Sequence, residues 1–151
     1  MSMQLQVEHS DKDGWLLHQE DQNFTAFKAT QWQPQINFEY FVTAKQQIKV
    51  AAQWVGIQAF EDRFYTLPTD TMNLIEGPKP VGDTDDFSVS QLNFQIRYRW
   101  QIAPLSDLFI VYTKGDRQRT DRMEYNDLFR DNWNNPLGDQ LVIKLRYRLG
   151  S

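Results

Sequence analysis

From Gln91 to Ile102 the chain reads QLNFQIRYRWQI, and apolar and polar residues alternate throughout. Leu92, Phe94, Ile96, Tyr98, Trp100 and Ile102 fall on one side; Gln91, Asn93, Gln95, Arg97, Arg99 and Gln101 fall on the other. A period of two predicts a β-strand with an oily face and a wet face. The same pattern places Ile36, Phe38, Tyr40 and Val42 opposite Gln35, Asn37 and Glu39, and Ile48, Val50, Ala52 and Trp54 opposite Lys49, Ala51 and Gln53. Near the end, Leu141, Ile143, Leu145, Tyr147 and Leu149 alternate with Lys144, Arg146 and Arg148. A shorter segment, DLFIVYTK, places Leu108, Ile110 and Tyr112 on one side, with Phe109 and Val111 blurring its alternation. Gln4 to His9 predicts a half-strand, and Phe24 to Trp32 leads into the Ile36 strand, with Pro34 marking a bulge or an irregular edge. Thr120 to Trp133 has a poor helical period and reads as loop with one helical turn. The expected fold is all-β: an antiparallel up-and-down meander of about six strands, without internal repeats.

The connections add a second pattern. Thr43 to Lys45 and Ala103 to Ser106 are tight turns, whereas residues 61–86 and 115–139 are long and polar. In an up-and-down meander such alternation puts short turns at one end and long loops at the other, as in outer-membrane barrels. Long structureless connections are uncommon in compact domains.

Composition narrows the classes. The chain has 151 residues, 24 % of them charged, and a net charge of -4, which argues against disorder and against a nucleic-acid binder by overall charge. Aromatics make up 14 %, suiting strands and also the aromatic girdles of membrane barrels. There is no cysteine, hence no disulfide framework or thiolate chemistry. No run reaches the ~20 apolar residues of a membrane helix. The N-terminal stretch MSMQLQVEHSDKDG has no basic n-region or apolar h-region, so it is not expected to be a signal peptide.

Alternation does not say whether the oily face meets a protein core or lipid. If it meets lipid, Leu92, Phe94, Ile96, Tyr98, Trp100, Leu141, Ile143, Leu145, Tyr147 and Leu149 face outward, and Gln95, Arg97, Arg99, Lys144, Arg146 and Arg148 line a lumen. If it meets a core, the same cations face water and the chain is a soluble barrel or sandwich that binds a small apolar ligand. Tyr98, Trp100 and Tyr147 lie towards the short-turn side, where a membrane interface favours rings that are part dry and part wet.

The phrases GWLLHQEDQNFTAFKATQWQPQ, TAKQQIKVAAQWVGIQA, IRYRWQIAPLSDLFIVYTKG and LVIKLRYRL cover most of the chain from about Gly14. They resemble the C-terminal end of a family of Gram-negative outer-membrane proteins whose activity is not established. That family carries an N-terminal domain similar to family-9 carbohydrate-binding modules, followed by a large β-barrel. The resemblance implies a partial barrel spanning residues 1–151, completed by strands upstream, exported to the outer membrane and surrounded by its lipid. It implies a role in transport or surface binding, linked to glycans through the other domain. The closing strand also resembles the signal read by the barrel-assembly machinery, departing from it in ending on Leu149 rather than an aromatic, with Gly150 and Ser151 following. Since bacterial barrels start at eight strands, the expected chain is an open sheet. Leu141 to Leu149 should pair with Leu108 to Thr113 and leave its other side bare, rather than closing on Gln4 to His9.

Candidate chemistry is sparse. His9 and His18 are the only histidines and read as surface residues. Asp83, Asp85, Asp86, Asp121, Glu124 and Asp127 read as solvated loop charge, without the frame of a calcium-binding hand. Trp133, beside Asn132, Asn134 and Asn135, has the residue types for weak glycan contact, with Trp133 and Asn134 the candidate pair. No nucleophile elbow, phosphate loop or zinc motif is present, and neither an enzyme nor a cofactor is expected.

Overall fold

The computed structural model describes residues 1–82 and 84–149. The chain is all-β: among the described residues it forms one antiparallel sheet built as a meander, with a single short helix between its last two strands. Its strands are β1 (Ser2–His18), β2 (Asn23–Thr43), β3 (Gln46–Thr66), β4 (Ile75–Gly77), β5 (Phe87–Ala103), β6 (Ser106–Thr120) and β7 (Gly138–Arg146), and the helix is α1 (Tyr125–Asn134). The spatial order is β1-β2-β3-β5-β6-β7, with the three-residue β4 attached to the far end of β3. The sheet does not close into a barrel, so β1 and β7 are its edges. Leu108 to Thr113 pairs with Gln140 to Leu145 on one side of β7, and no strand of the path pairs with the other.

The strands are longer than the alternation suggested. β2 and β3 have 21 residues each, about 70 Å at roughly 3.3 Å per residue. β1 runs to His18 rather than ending near His9, and β2 is one strand through Pro34. The β2–β3 register stays constant from Trp32↔Gly56 to Gln35↔Gln53, with the ladder interrupted at Gln33 and Pro34, where proline has no N–H to give. Residues 61–66 belong to β3 and 115–120 to β6, so both long loops are shorter than expected. The second contains ten helical residues instead of one turn. β7 ends at Arg146, and Tyr147, Arg148 and Leu149 follow outside the strand. The connection Gln19 to Gln22 joins β1 to β2 at the end that carries the long loops, so short turns are not confined to one end. Asp83, Gly150 and Ser151 lie outside the described residues.

Two bulges shape the loop end. In β1 the register shifts between Lys12 and Trp15, so Asp13 and Gly14 together oppose one residue of β2. Gly14 has φ +75°, a left-handed conformation that suits glycine. The extra residue inverts the alternation and turns Trp15 to the same face as its partner Phe27. In β3 the bulge falls at Asp62, between the pairs Phe27↔Glu61 and Ala26↔Arg63. Ion pairs join the two irregularities: Lys28 Nζ lies 2.6 Å from Asp62 Oδ1, and Arg63 Nη2 lies 3.1 Å from Asp13 Oδ1. The hydrogen bond from Lys28 holds the Asp62 carboxyl below its ordinary range and raises the Lys28 ammonium.

Around these bulges the sheet curls. Trp15 on β1 and Phe87 on β5 are three places apart in the sheet, about 14 Å if it were flat, yet their ring centroids lie 5.6 Å apart. Phe27 fills the space between, edge-on to Phe87 at 5.2 Å, over the small Ala29 and Ala59. Replacing Gly14 with valine should therefore destabilise the fold by about 1–3 kcal/mol through backbone strain. It should also loosen the Trp15–Phe87 contact. The midpoint of urea unfolding and the Trp15 emission report the two effects; an unchanged midpoint would show that the bulge does not depend on glycine.

Candidate functional site

Pairing partners share a face of the sheet, so the register assigns every strand side chain to one of two sides. Leu92, Phe94, Ile96, Tyr98 and Trp100 lie on one face together with Trp54, Ala52, Val50 and Ile48 of β3. Tyr112, Ile110 and Leu108 of β6 continue that face, and Leu141, Ile143 and Leu145 of β7 complete it. Gln95, Arg97, Arg99, Lys144 and Arg146 lie on the opposite face. The register thus places two sets of side chains on opposite faces of the strands, while Tyr147, Arg148 and Leu149 lie beyond the end of β7. Phe109 and Val111, which blurred the pattern, sit on the polar face; the Arg99 guanidinium lies 5.9 Å from the Phe109 ring centroid.

The polar face is the concave one. A hollow of about 470 Å³ there is lined by the carboxamides of Gln35, Asn37, Gln53, Asn93, Gln95 and Gln140, with Thr113 and Gly115. Another hollow, of about 390 Å³, is lined by Trp15 and Leu17 of β1 and by Arg117 and Arg119 of β6, strands four places apart. Below the carboxamides, Lys49 pairs with Glu39 at 3.4 Å and Arg99 pairs with Asp107 at 3.0 Å.

In β2, β3 and β5 the two faces exchange character along the strand, with Phe60 left on the convex side, whereas the loop half of β6 puts Arg117 and Arg119 on the concave side. Towards the tight turns the convex face is oily and the concave face polar. Towards the loops, the convex face carries the row Thr30, Gln58, Ser88 and Thr120, and the concave face carries Phe27, Ala29, Ala59 and Phe87. The exchange takes place near the Gln91↔Val55 pair, and β3 and β5 pair without a register shift from Gln46↔Trp100 to Ala59↔Phe87. There it is made by the order of residue types alone.

The helix covers this boundary on the convex side. Leu128 packs on Trp54 and Leu92, and all three are buried. Leu92 is therefore covered by α1, and Phe94 has the Trp133 ring 5.3 Å away. Trp54 Nε1 donates to Ser90 Oγ at 2.9 Å, and Ser90 Oγ donates to the Leu128 carbonyl at 3.2 Å. Tyr125 Oη donates to the Thr30 carbonyl at 3.0 Å. Gly56 lies under the Trp54 and Tyr125 rings, where a Cβ would clash with the indole. Asn132 is fully buried beneath the helix, and its amide atoms have no partner among the described residues. Sequence reasoning missed Trp54, Ser90, Tyr125 and Leu128 as a unit; an i, i+3, i+7 stripe of Tyr125, Leu128 and Asn132 was its one trace, and the asparagine hid it.

The remaining candidates are in ordinary surroundings. The His9 ring packs at a tilt against Trp32 with centroids 4.5 Å apart, and His18 Nε2 meets the Asp21 carbonyl at 2.9 Å. Asp85 N–H donates to Glu61, Asp86 accepts from the Glu61 N–H, and Asp127 pairs with Arg130. Among the described residues no His and carboxylate cluster is placed to hold a metal ion. Among them no helix is long and apolar enough to cross a membrane, which says nothing about strands. Trp133 is half-exposed, with Lys114 Nζ 4.8 Å from its ring centroid, and stacks on Phe129 at 6.3 Å.

The family model described as a domain of unknown function, DUF5916, matches residues 1–150. The chain belongs to the DUF5916 family. No curated protein and no solved structure matches it.

In this DUF5916 chain, Tyr125 is the titratable group tied most closely to the helix contact. Burial pushes its phenol above the ordinary value, and the nearby Asp11 adds to the rise. A raised phenol contributes stability that is present below the unfolded value of about 10 and is lost as pH rises through the folded value. Emission from Trp54 under α1 should therefore show the helix loosening at alkaline pH. Tyr125→Phe should cost about 0.5–1.5 kcal/mol at neutral pH through the lost hydrogen bond, and should abolish the alkaline loss. An alkaline loss that persists in the phenylalanine variant would assign it to another group.

Proposed function

We propose that this DUF5916 chain is the C-terminal segment of an outer-membrane β-barrel, with its convex face towards lipid below α1 and its concave face forming part of a lumen wall. The observation that carries this reading is the exchange of polarity between the faces. A sheet standing wholly in water keeps its apolar residues on the side of its core. A sheet that leaves a bilayer meets oil outside at one height and water outside at another, and its pattern inverts where the solvent changes.

The dimensions agree with this reading. On the convex face Trp32 lies in the row of Gly56 and Ser90, and Tyr40, Tyr98 and Trp100 lie near the tight turns. From Ser90 to Trp100 the strand rises about 33 Å at roughly 3.3 Å per residue. Tilted by about 40°, that is a band about 25 Å tall between two aromatic levels, as in outer-membrane barrels. The concave polar face supports the lumen assignment over a soluble shell around an apolar ligand, because such a ligand would face carboxamides along the middle of the curl. The unpaired edges of β1 and β7 support completion of the barrel by further strands, since open edges are not tolerated in hydrocarbon. On this reading the partners are outer-membrane lipid, the rest of the same barrel, and the barrel-assembly machinery acting through the last strand. Transport or surface binding is the role, with a glycan link through the carbohydrate-binding-like domain that the family resemblance implies.

Substitution across one peptide bond tests the orientation. Ile96→Arg should cost about 2–4 kcal/mol if the site lies near the bilayer midplane, whereas Gln95→Arg should be nearly neutral. The measurement is the unfolding midpoint of the barrel refolded into phospholipid vesicles. Equal tolerance at the two positions would overturn the lipid assignment, as would a monodisperse monomer of this chain in detergent-free buffer.

A further inference from the structure

We propose that α1 is an interfacial helix: it lies on the outer wall of the barrel at the headgroup boundary of the bilayer, with Phe129 and Trp133 dipping into the acyl region. This rests on the barrel reading and adds to it the level at which the upper membrane surface meets the sheet. The helix divides into three sides. Leu128 and Asn132 are buried against the sheet. Arg130, paired with Asp127 at 2.7 Å, lies on a side that is exposed and charged. Phe129 and Trp133, one helical turn apart and stacked with an interplanar angle of 23°, form the third.

That third side faces the oily band. Trp133 contacts Phe94, which is one step closer to the tight turns than Leu92, the residue under the centre of the helix. The aromatic pair thus adjoins the convex apolar surface at Phe94 and extends it outward from the wall, with the Lys114 ammonium beside the Trp133 ring at its edge. Both rings remain about 40 % exposed after packing. In water alone, exposing this pair beside an ion-paired surface brings no gain. At an interface the indole and phenyl rings take the level where one side is dry and the other wet.

Nitroxide labels test this in the complete gene product, with any native cysteine replaced by serine and the protein refolded into phosphatidylcholine vesicles. Single cysteines are placed by Ile96→Cys, Phe129→Cys, Trp133→Cys and Arg130→Cys. Depth is read from the ratio of relaxation by dissolved oxygen to relaxation by an aqueous nickel chelate. The expected order is deepest at 96, shallow but within the bilayer at 129 and 133, and fully aqueous at 130. Aqueous values at both 129 and 133, with 96 still in lipid, would overturn the interfacial helix and leave the barrel reading standing. An aqueous value at 96 would overturn both. Labels at two neighbouring sites guard against one substitution displacing the helix from Trp54.

Discussion

A strand gives each side chain two directions and no others, and most of this structure follows from that limit. β3 and β5 pair fourteen times without a register shift, so neither can rotate its side chains to suit a change of surroundings. Where the surroundings change, the sequence itself has to change phase. It does so near Val55 and Gln91: below them the apolar residues take even positions in both strands, and above them the odd positions Ile57, Ala59, Phe87 and Val89. β1 solves the same problem through its backbone, since the Asp13–Gly14 bulge carries Trp15 and Leu17 to the concave side. Two different local devices thus deliver one result at neighbouring heights of the sheet.

The curl depends on that result. Phe27, Phe87 and Trp15 draw together over Ala29 and Ala59 because large rings have small residues beneath them. The cluster bends the loop end of the sheet about its concave side, and the lower part follows because the same continuous strands run through both. The carboxamide-lined hollow lies on the inside of that curvature. On the proposed reading, carboxamides suit an inner wall backed by lipid: they offer donors and acceptors to water without the desolvation cost that a charge incurs near a low-dielectric layer. The charges nearer the tight turns come in part as pairs, Lys49 with Glu39 and Arg99 with Asp107.

How much of this was legible in the sequence depends on where a residue lies. Between Gln91 and Ile102 the alternation is unbroken, and the strand, its two faces and its antiparallel partners were all readable. The family was approached through short phrases, of which the match over residues 1–150 secures the domain and not the barrel. Residues 61–66 of β3 and 115–120 of β6 were read as loop, because the alternation fades there into runs of polar and charged residues. Charged residues such as Asp62 and Arg63 reinforced that reading, although they serve the bulges. The helix was missed for a related reason. Its buried stripe includes Asn132, a polar residue in an apolar place, and its exposed side includes Phe129 and Trp133, apolar residues in an open place. Sequence patterns assume that buried means oily and exposed means wet, and α1 departs from both.

Those two departures have one physical explanation on the proposed reading. A helix seated on a barrel wall at a membrane surface has three neighbours: the wall, the water and the lipid. The usual two-sided amphipathic pattern cannot describe it. Towards the wall it packs Leu128 into the space beside Trp54 and Leu92. Towards water it presents Asp127 with Arg130. Towards lipid it presents an aromatic pair that would be a liability on a soluble surface. The exposed rings of α1 and the inverted alternation of the strands are then two expressions of one boundary. One is written in a helix and the other in a sheet, and they meet at Leu92, where the oily band ends under Leu128.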